Sequence, residues 1–230
     1  MANDVSKRTI QPSVTGTSLI AFIYDKGVIV AADTLGSYGS LARFRSCERV
    51  FKINDTVLFA GSGDIADIQN LHGEIELMSV ENDCAQDGHK LTPKSLFNWL
   101  STKLYRSRSE FNPLLIGGIV AGMEDGEPFI GCVNDVGAAY QESIVTRGMG
   151  SRLILPWIRM QISMLGRLPN RQESEELINQ AMTLLYYRDC RAFPRYTLGV
   201  IDSSGELLIQ HALCKDNWQM MNYAKIPVQT

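Results

Sequence analysis

The order in which two apolar periods alternate along the chain constrains its fold more than any single motif. From Ser18 the pattern is that of strands. Residues 18–24 and 28–32 are rich in Ile, Val and Phe, and Asp25-Lys26-Gly27 supplies hairpin turn chemistry between them. A second strand pair falls at 50–53 and 56–60, joined through Asn54-Asp55. At Asp64 helical spacing takes over, with Ile65, Ile68, Leu71, Ile75 and Met78 on one stripe. Thr92-Pro93 is an N-cap with a first-turn proline, opening a helix that carries Leu96, Leu100 and Leu104, and Asn112-Pro113 ends it. Strand character returns over 114–123, 128–134 and 138–145. Two further helices, 151–165 and about 172–187, precede a last hairpin of 196–202 and 207–213 across Ser203-Ser204-Gly205. The order is strands, two helices, strands, two helices, strands. Hairpins dominate it, which predicts one α+β domain with largely antiparallel sheets and helices on the outer faces.

Composition narrows the function classes. With 230 residues, 45% hydrophobic and 20% charged, the chain reads as an ordinary globular protein with one substantial core. A net charge of −3 gives no electrostatic case for nucleic acid or an acidic membrane surface. The longest apolar runs are far shorter than a membrane span, and MANDVSKRTIQPS lacks a secretory apolar stretch. Five scattered cysteines without a C-x-x-C pair, and three distant histidines, argue for reduced thiols and against a zinc site.

Several motifs invite chemistry. GSGDIA, residues 61–66, matches a dinucleotide fingerprint, but Asp64 in the first helical turn would repel a pyrophosphate. The following helix also leads to a helix, where a βαβ unit needs a parallel strand. The glycines read better as a tight turn with close backbone approach. LIGGIVAG, residues 115–122, reads as a strand packed closely beneath a helix. Asp189, after Tyr186-Tyr187-Arg188, opposes the dipole of the helix it ends, which predicts a specific partner. Finally, TGTS at 15–18 places Thr17 before a strand. An N-terminal threonine can hydrolyse amides, its hydroxyl attacking while its own amine takes the proton.

The run T-G-T-S followed by G-V-I-V-A-A-D resembles a β-type subunit of the 20S proteasome, of the N-terminal nucleophile hydrolase fold. LGSYGSLARFR (35–45), YRSRSEFNPL (105–114) and LLYYRDCR (184–191) are similar to signatures of the eukaryotic beta type-4 group, which occupies the seventh β position of the ring. The resemblance covers residues from about Thr9 to Leu213. Together with the segment order, it implies a four-layer αββα sandwich: an N-terminal extension over 1–16, a proteasome β-type domain over 17–213 and a C-terminal arm over 214–230.

Carried over residue by residue, the resemblance sets Thr17 at the nucleophile and Asp33 at the acid that orients the cation. Arg49 falls where active subunits have lysine, Gly63 at the oxyanion glycine and Asp189 at the acid near the nucleophile's amine. Met149 and Ala192 stand where two supporting serines belong. A permanently charged arginine and two missing hydroxyls imply a degenerate site, and this subunit type is non-catalytic and keeps residues ahead of the threonine. The expectation is that Gly16 stays attached, that Asp33 and Arg49 form a buried ion pair, and that Thr17 is a strand residue with a satisfied hydroxyl. The alternatives are a catalytically active threonine endopeptidase subunit, and a stand-alone amidase or binding protein on the same fold.

The resemblance further implies no cofactor, a cytoplasmic and nuclear setting, and assembly with other α and β subunits in stacked seven-membered rings. After Leu213 nothing in the predicted core requires more chain. Yet the tail carries Trp218, Met220, Met221, Tyr223, Ile226 and Val228, too apolar for water, and Pro227 favours an extended arm. The resemblance implies that this arm reaches the opposite β ring, with Trp218, Tyr223, Ile226 and Val228 as interface anchors.

Overall fold

The computed structural model describes residues 11–86, 88 and 90–218. Two antiparallel sheets lie face to face. The elements in chain order are β1 (Val14–Gly16), β2 (Leu19–Tyr24), β3 (Gly27–Asp33), β4 (Gly36–Tyr38), β5 (Leu41–Phe44), β6 (Val50–Asn54), β7 (Val57–Asp64), α1 (Ile65–Ala85) and α2 (Pro93–Ser109). They continue with β8 (Ile116–Glu124), β9 (Glu127–Val133), β10 (Ala139–Gln141), β11 (Ile144–Arg147), α3 (Gly150–Leu165), α4 (Arg171–Arg188), β12 (Arg195–Asp202) and β13 (Leu207–Leu213). The first sheet runs β10-β9-β8-β7-β1-β4-β5, with β6 also paired to β7; the second runs β11-β2-β3-β12-β13.

Three apolar layers follow from alternation along the strands. Leu19, Ala21, Val28, Val30 and Ala32 of the second sheet meet Leu58, Ala60, Ile119 and Ala121 of the first, forming the core between the sheets. The opposite face of the first sheet packs Phe59, Ile116 and Val120 against Ile68, Leu71 and Ile75 of α1 and Leu96 and Leu100 of α2. Ile20, Phe22 and Ile29 pack likewise beneath Ile154 and Ile158 of α3 and Ile178 and Met182 of α4. This is the predicted αββα sandwich.

Local chemistry places the helices. Thr92 and Ser95 form a capping box at the start of α2, and Asn170 with Glu173 forms one at the start of α4. The 115–122 run lies under a helix as expected: a Cβ on Gly118 would come 2.7 Å from Leu100 Cδ2.

Four local readings need correction. The GSGD glycines do not form a turn. They extend β7 to Asp64, and only their close backbone approach is as predicted, because a Cβ at Gly63 (φ +112°) would overlap the Leu115 carbonyl. Asp64 lies just outside the first turn of α1, as its N-cap, accepting from the N–H groups of Ala66 (2.9 Å) and Asp67 (3.2 Å). Residues 138–145 are not one strand, because the chain crosses there from β10 in the first sheet to β11 in the second. Lastly, the residues ahead of Thr17 are not merely a surface extension. Val14–Gly16 is a strand of the first sheet, paired on one side with β4 and on the other with β7. Residues 1–10 lie outside the described residues.

Candidate active site

Each candidate side chain stands at or beside an element end. Asp33 closes β3, Arg49 immediately precedes β6, Gly63 lies near the end of β7, Met149 is the residue before α3, and Asp189 ends α4. Thr17 follows β1 where the chain passes from the first sheet to the second. It is therefore not a strand residue, and its buried Oγ1 has no hydrogen-bond partner among the described residues. The expected satisfied hydroxyl is not found.

Behind Thr17, Arg49 and Asp33 form the expected buried pair, 0% and 2% exposed, with Nη2 on Oδ1. The guanidinium also donates to the carbonyls of Asp33 (from Nε 3.1 Å and Nη2 2.9 Å), Ser18 (3.2 Å) and Gly61 (3.4 Å). One planar cation thus ties both sheets and the 17–18 crossing. A lysine, with a single nitrogen, could not reach these acceptors at once. The arginine also fills the space beside Gly16, where any Cβ would overlap its side chain. Burial pushes the Asp33 carboxyl up to about 6; Arg49 opposes the shift, and Asp189 adds a smaller upward push.

Asp189 is itself buried. Its Oδ1 accepts the Arg191 N–H at 2.9 Å, so the predicted partner is backbone, and its Oδ2 is unpartnered among the described residues. Ala192 packs at the margin of the core under α3 and α4, and its N–H donates to the Asp189 carbonyl at 3.1 Å.

A cleft of about 640 Å³ opens on this end of the sandwich. Thr17, Gly63, Met149 and Asp189 line it, whereas Asp33, Arg49 and Ala192 do not. Met149, 42% exposed, offers a thioether where a hydroxyl would be needed. Arg147 and Gly148 also line the cleft and were not anticipated; in the sequence Arg147 is an unremarkable strand-end cation. The Ser18 hydroxyl, likewise unforeseen, accepts the Gly150 N–H at 3.1 Å and fixes the start of α3 against the crossing.

β1 decides what this arrangement can do. Thr15 pairs with Ser37 of β4 and with Asp64 of β7, and Gly16 pairs with Gly63. The Ser37 hydroxyl donates to the Thr15 carbonyl at 3.1 Å, and the Ser13 N–H donates to Asp64 Oδ2 at 2.8 Å. An extended peptide binding beside Thr17 would need a free strand edge, and both edges are already taken by the chain itself. While Gly16 is attached, the Thr17 nitrogen stands in a peptide bond and is not a free amine. Arg49 cannot accept a proton. Among the described residues none hydrogen-bonds the hydroxyl to activate it.

The chain matches the proteasome subunit family over residues 13–201. It belongs to that family. Among similar proteasome subunits, the frog Xenopus laevis "Proteasome subunit beta type-4" is 37% identical over 214 residues, covering 93% of this chain and 88% of the relative. The Drosophila melanogaster protein of the same name is 41% identical over 201 residues, covering 87% and 75%. "Proteasome subunit beta type-7" of Saccharomyces cerevisiae is 38% identical over 216 residues, covering 91% and 81%. Within the proteasome subunit family, the two antiparallel sheets and four helices among the described residues are those of the N-terminal nucleophile hydrolase sandwich. Among the described residues no cluster of His, Cys, Asp and Glu is arranged to hold a metal, and no helix is long and apolar enough to cross a membrane.

Proposed function

We propose that this chain is a non-catalytic, structural β subunit of the 20S proteasome core particle. It forms part of the β ring and the wall of the proteolytic chamber, and serves ATP- and ubiquitin-dependent protein degradation by the assembled complex. The single observation that carries this reading is Arg49, a permanent cation locked by the Asp33 carboxylate and by the carbonyls of Asp33, Ser18 and Gly61, which leaves nothing behind Thr17 able to pass a proton. The similarity to beta type-4 and type-7 subunits supports it. Thr17, Asp33, Arg49, Gly63, Met149, Asp189 and Ala192 are on this reading a retired constellation in which Arg49 and Asp33 now hold the fold.

The partners are the other α and β subunits in stacked seven-membered rings, in the cytoplasm and nucleus. The segment 214–230 is an arm to the opposite β ring. Of its expected anchors, Trp218 packs on Tyr186 and Tyr187 of its own chain, and Tyr223, Ile226 and Val228 lie outside the described residues. Intact-mass analysis of the chain from native particles tests the central claim. A mass that includes Gly16, and no labelling by a covalent threonine-directed inhibitor, is the expected result. A chain that begins at Thr17 and is labelled by the inhibitor would establish the active-peptidase alternative instead.

A further inference from the structure

Tyr186 and Tyr187, in the last turn of α4, have no part in the cleft. They hold Trp218. The indole stands edge-on to both rings, with centroids 5.6 Å from Tyr186 at 83° and 5.0 Å from Tyr187 at 85°. This is the favoured geometry for aromatic pairs. The Tyr187 hydroxyl accepts the Asn217 N–H. Upstream, Asn179 Nδ2 donates to the Leu213 carbonyl at 3.2 Å, the Cys214 N–H donates to the Pro194 carbonyl at 2.8 Å, and Lys215 Nζ meets Glu176 at 3.2 Å. Residues 213–218 therefore run along α4 toward its C-terminal end. Trp218 keeps 49% of its surface exposed.

We infer that Tyr186, Tyr187 and Trp218 form an aromatic clamp that launches residues 219–230 from the end of α4, and so are positioning residues for the docking of the arm. The inference rests on the arm reading above. Seventeen residues of the sequence follow Leu213 and twelve follow Trp218. Because effective concentration falls as about the −3/2 power of length, shortening alone contributes only about twofold. Fixing the direction of departure adds to this by preorganisation, so losing the clamp should slow docking roughly three- to tenfold.

The test uses cells in which the variant is the sole copy of this subunit. Joining of half-particles into full particles is followed by pulse–chase on native gels, and incorporation into half-particles is scored separately as a folding control. A chain ending at Trp218 should accumulate half-particles. Trp218→Ala, and Tyr186→Ala with Tyr187→Ala, should each slow joining three- to tenfold at unchanged incorporation. Combining all three should add nothing further, and Trp218→Phe should stay within twofold of the parent. If the alanine variants enter half-particles poorly, Trp218→Leu, which keeps apolar cover without the edge-on contacts, reads the same rate. Normal joining by these variants while the chain ending at Trp218 fails would overturn the clamp and leave the arm standing. Normal joining by the chain ending at Trp218 would overturn the arm, and the clamp with it.

Discussion

At the scale of single residues, Arg49 and Asp33 carry the tightest constraints. Removing the cation in Arg49→Met leaves the Asp33 carboxylate buried without its partner, which should cost about 3–5 kcal/mol. Denaturant titration or loss of the subunit from particles would register it. Arg49→Lys should be milder, and no peptidase activity should appear. On the proposed reading the Thr17 nitrogen stays acylated by Gly16, and Met149 and Ala192 still lack hydroxyls; groups of this kind fail as a unit. New turnover of any fluorogenic peptide attributable to that single substitution would refute the prediction. The Asp33 pKa gives a signed effect. Its folded-state value, about 6, lies above the ordinary carboxylate value of 3.8, so the folded chain binds the proton more tightly. Stability from this group therefore falls as pH rises from about 4 to about 6 and is flat beyond. Asp33→Asn removes that slope. The stability advantage of the parent over Asp33→Asn should be larger at pH 5 than at pH 7, and an equal advantage at both would contradict the assignment.

At the scale of elements, β1 is the piece with most depending on it. Among the described strands β4 pairs only with β1 and β5, so the β4–β5 hairpin joins the first sheet through β1. Proline at position 15 would remove a donor from a strand paired on both sides. Thr15→Pro should therefore raise amide exchange across Gly36–Tyr38 and Leu41–Phe44 together, while the β12–β13 ladder stays protected. Exchange confined to residue 15 itself would mean that the hairpin is held some other way. This element also marks where reading the sequence runs out. β2, β3 and β12 were legible because their side chains bury almost fully between layers, and β13 because Ser203-Ser204-Gly205 turns an apolar run back onto β12. β1 has three residues and no period, and β5 is exposed along its whole length. Both exist because of edges supplied by other strands. The end of β7 was hidden for a related reason: Gly61, Ser62 and Gly63 carry almost no side-chain pattern, so only their pairing with β8 reveals a strand. In the site, the Asp33–Arg49 pair was foreseen because the resemblance aligned two opposite charges. The orphaned hydroxyl of Thr17 and the Arg147 wall depend on a chain crossing that no local pattern encodes.

At the scale of the molecule, the packed core runs past Leu213 into the segment proposed as an arm. The sequence places the end of the core at Leu213, but Cys214 is buried against α4 and β12, and Lys215 bridges back to Glu176. A chain ending at Leu213 should lose about 1–2 kcal/mol of apolar and polar contact as well as the arm. It should therefore enter half-particles less efficiently than a chain ending at Trp218, and equal incorporation of the two would restore the boundary at Leu213. The packing of Arg49 against Gly16 has a consequence on a longer timescale. With a guanidinium in that space, lysine at position 49 is not reached in one favourable step. The smaller cation forfeits carbonyl contacts and leaves a gap before any amine has been freed or any hydroxyl regained. On the proposed reading of the site, any return to catalysis begins with a loss, and the packing of Arg49 acts as an evolutionary ratchet.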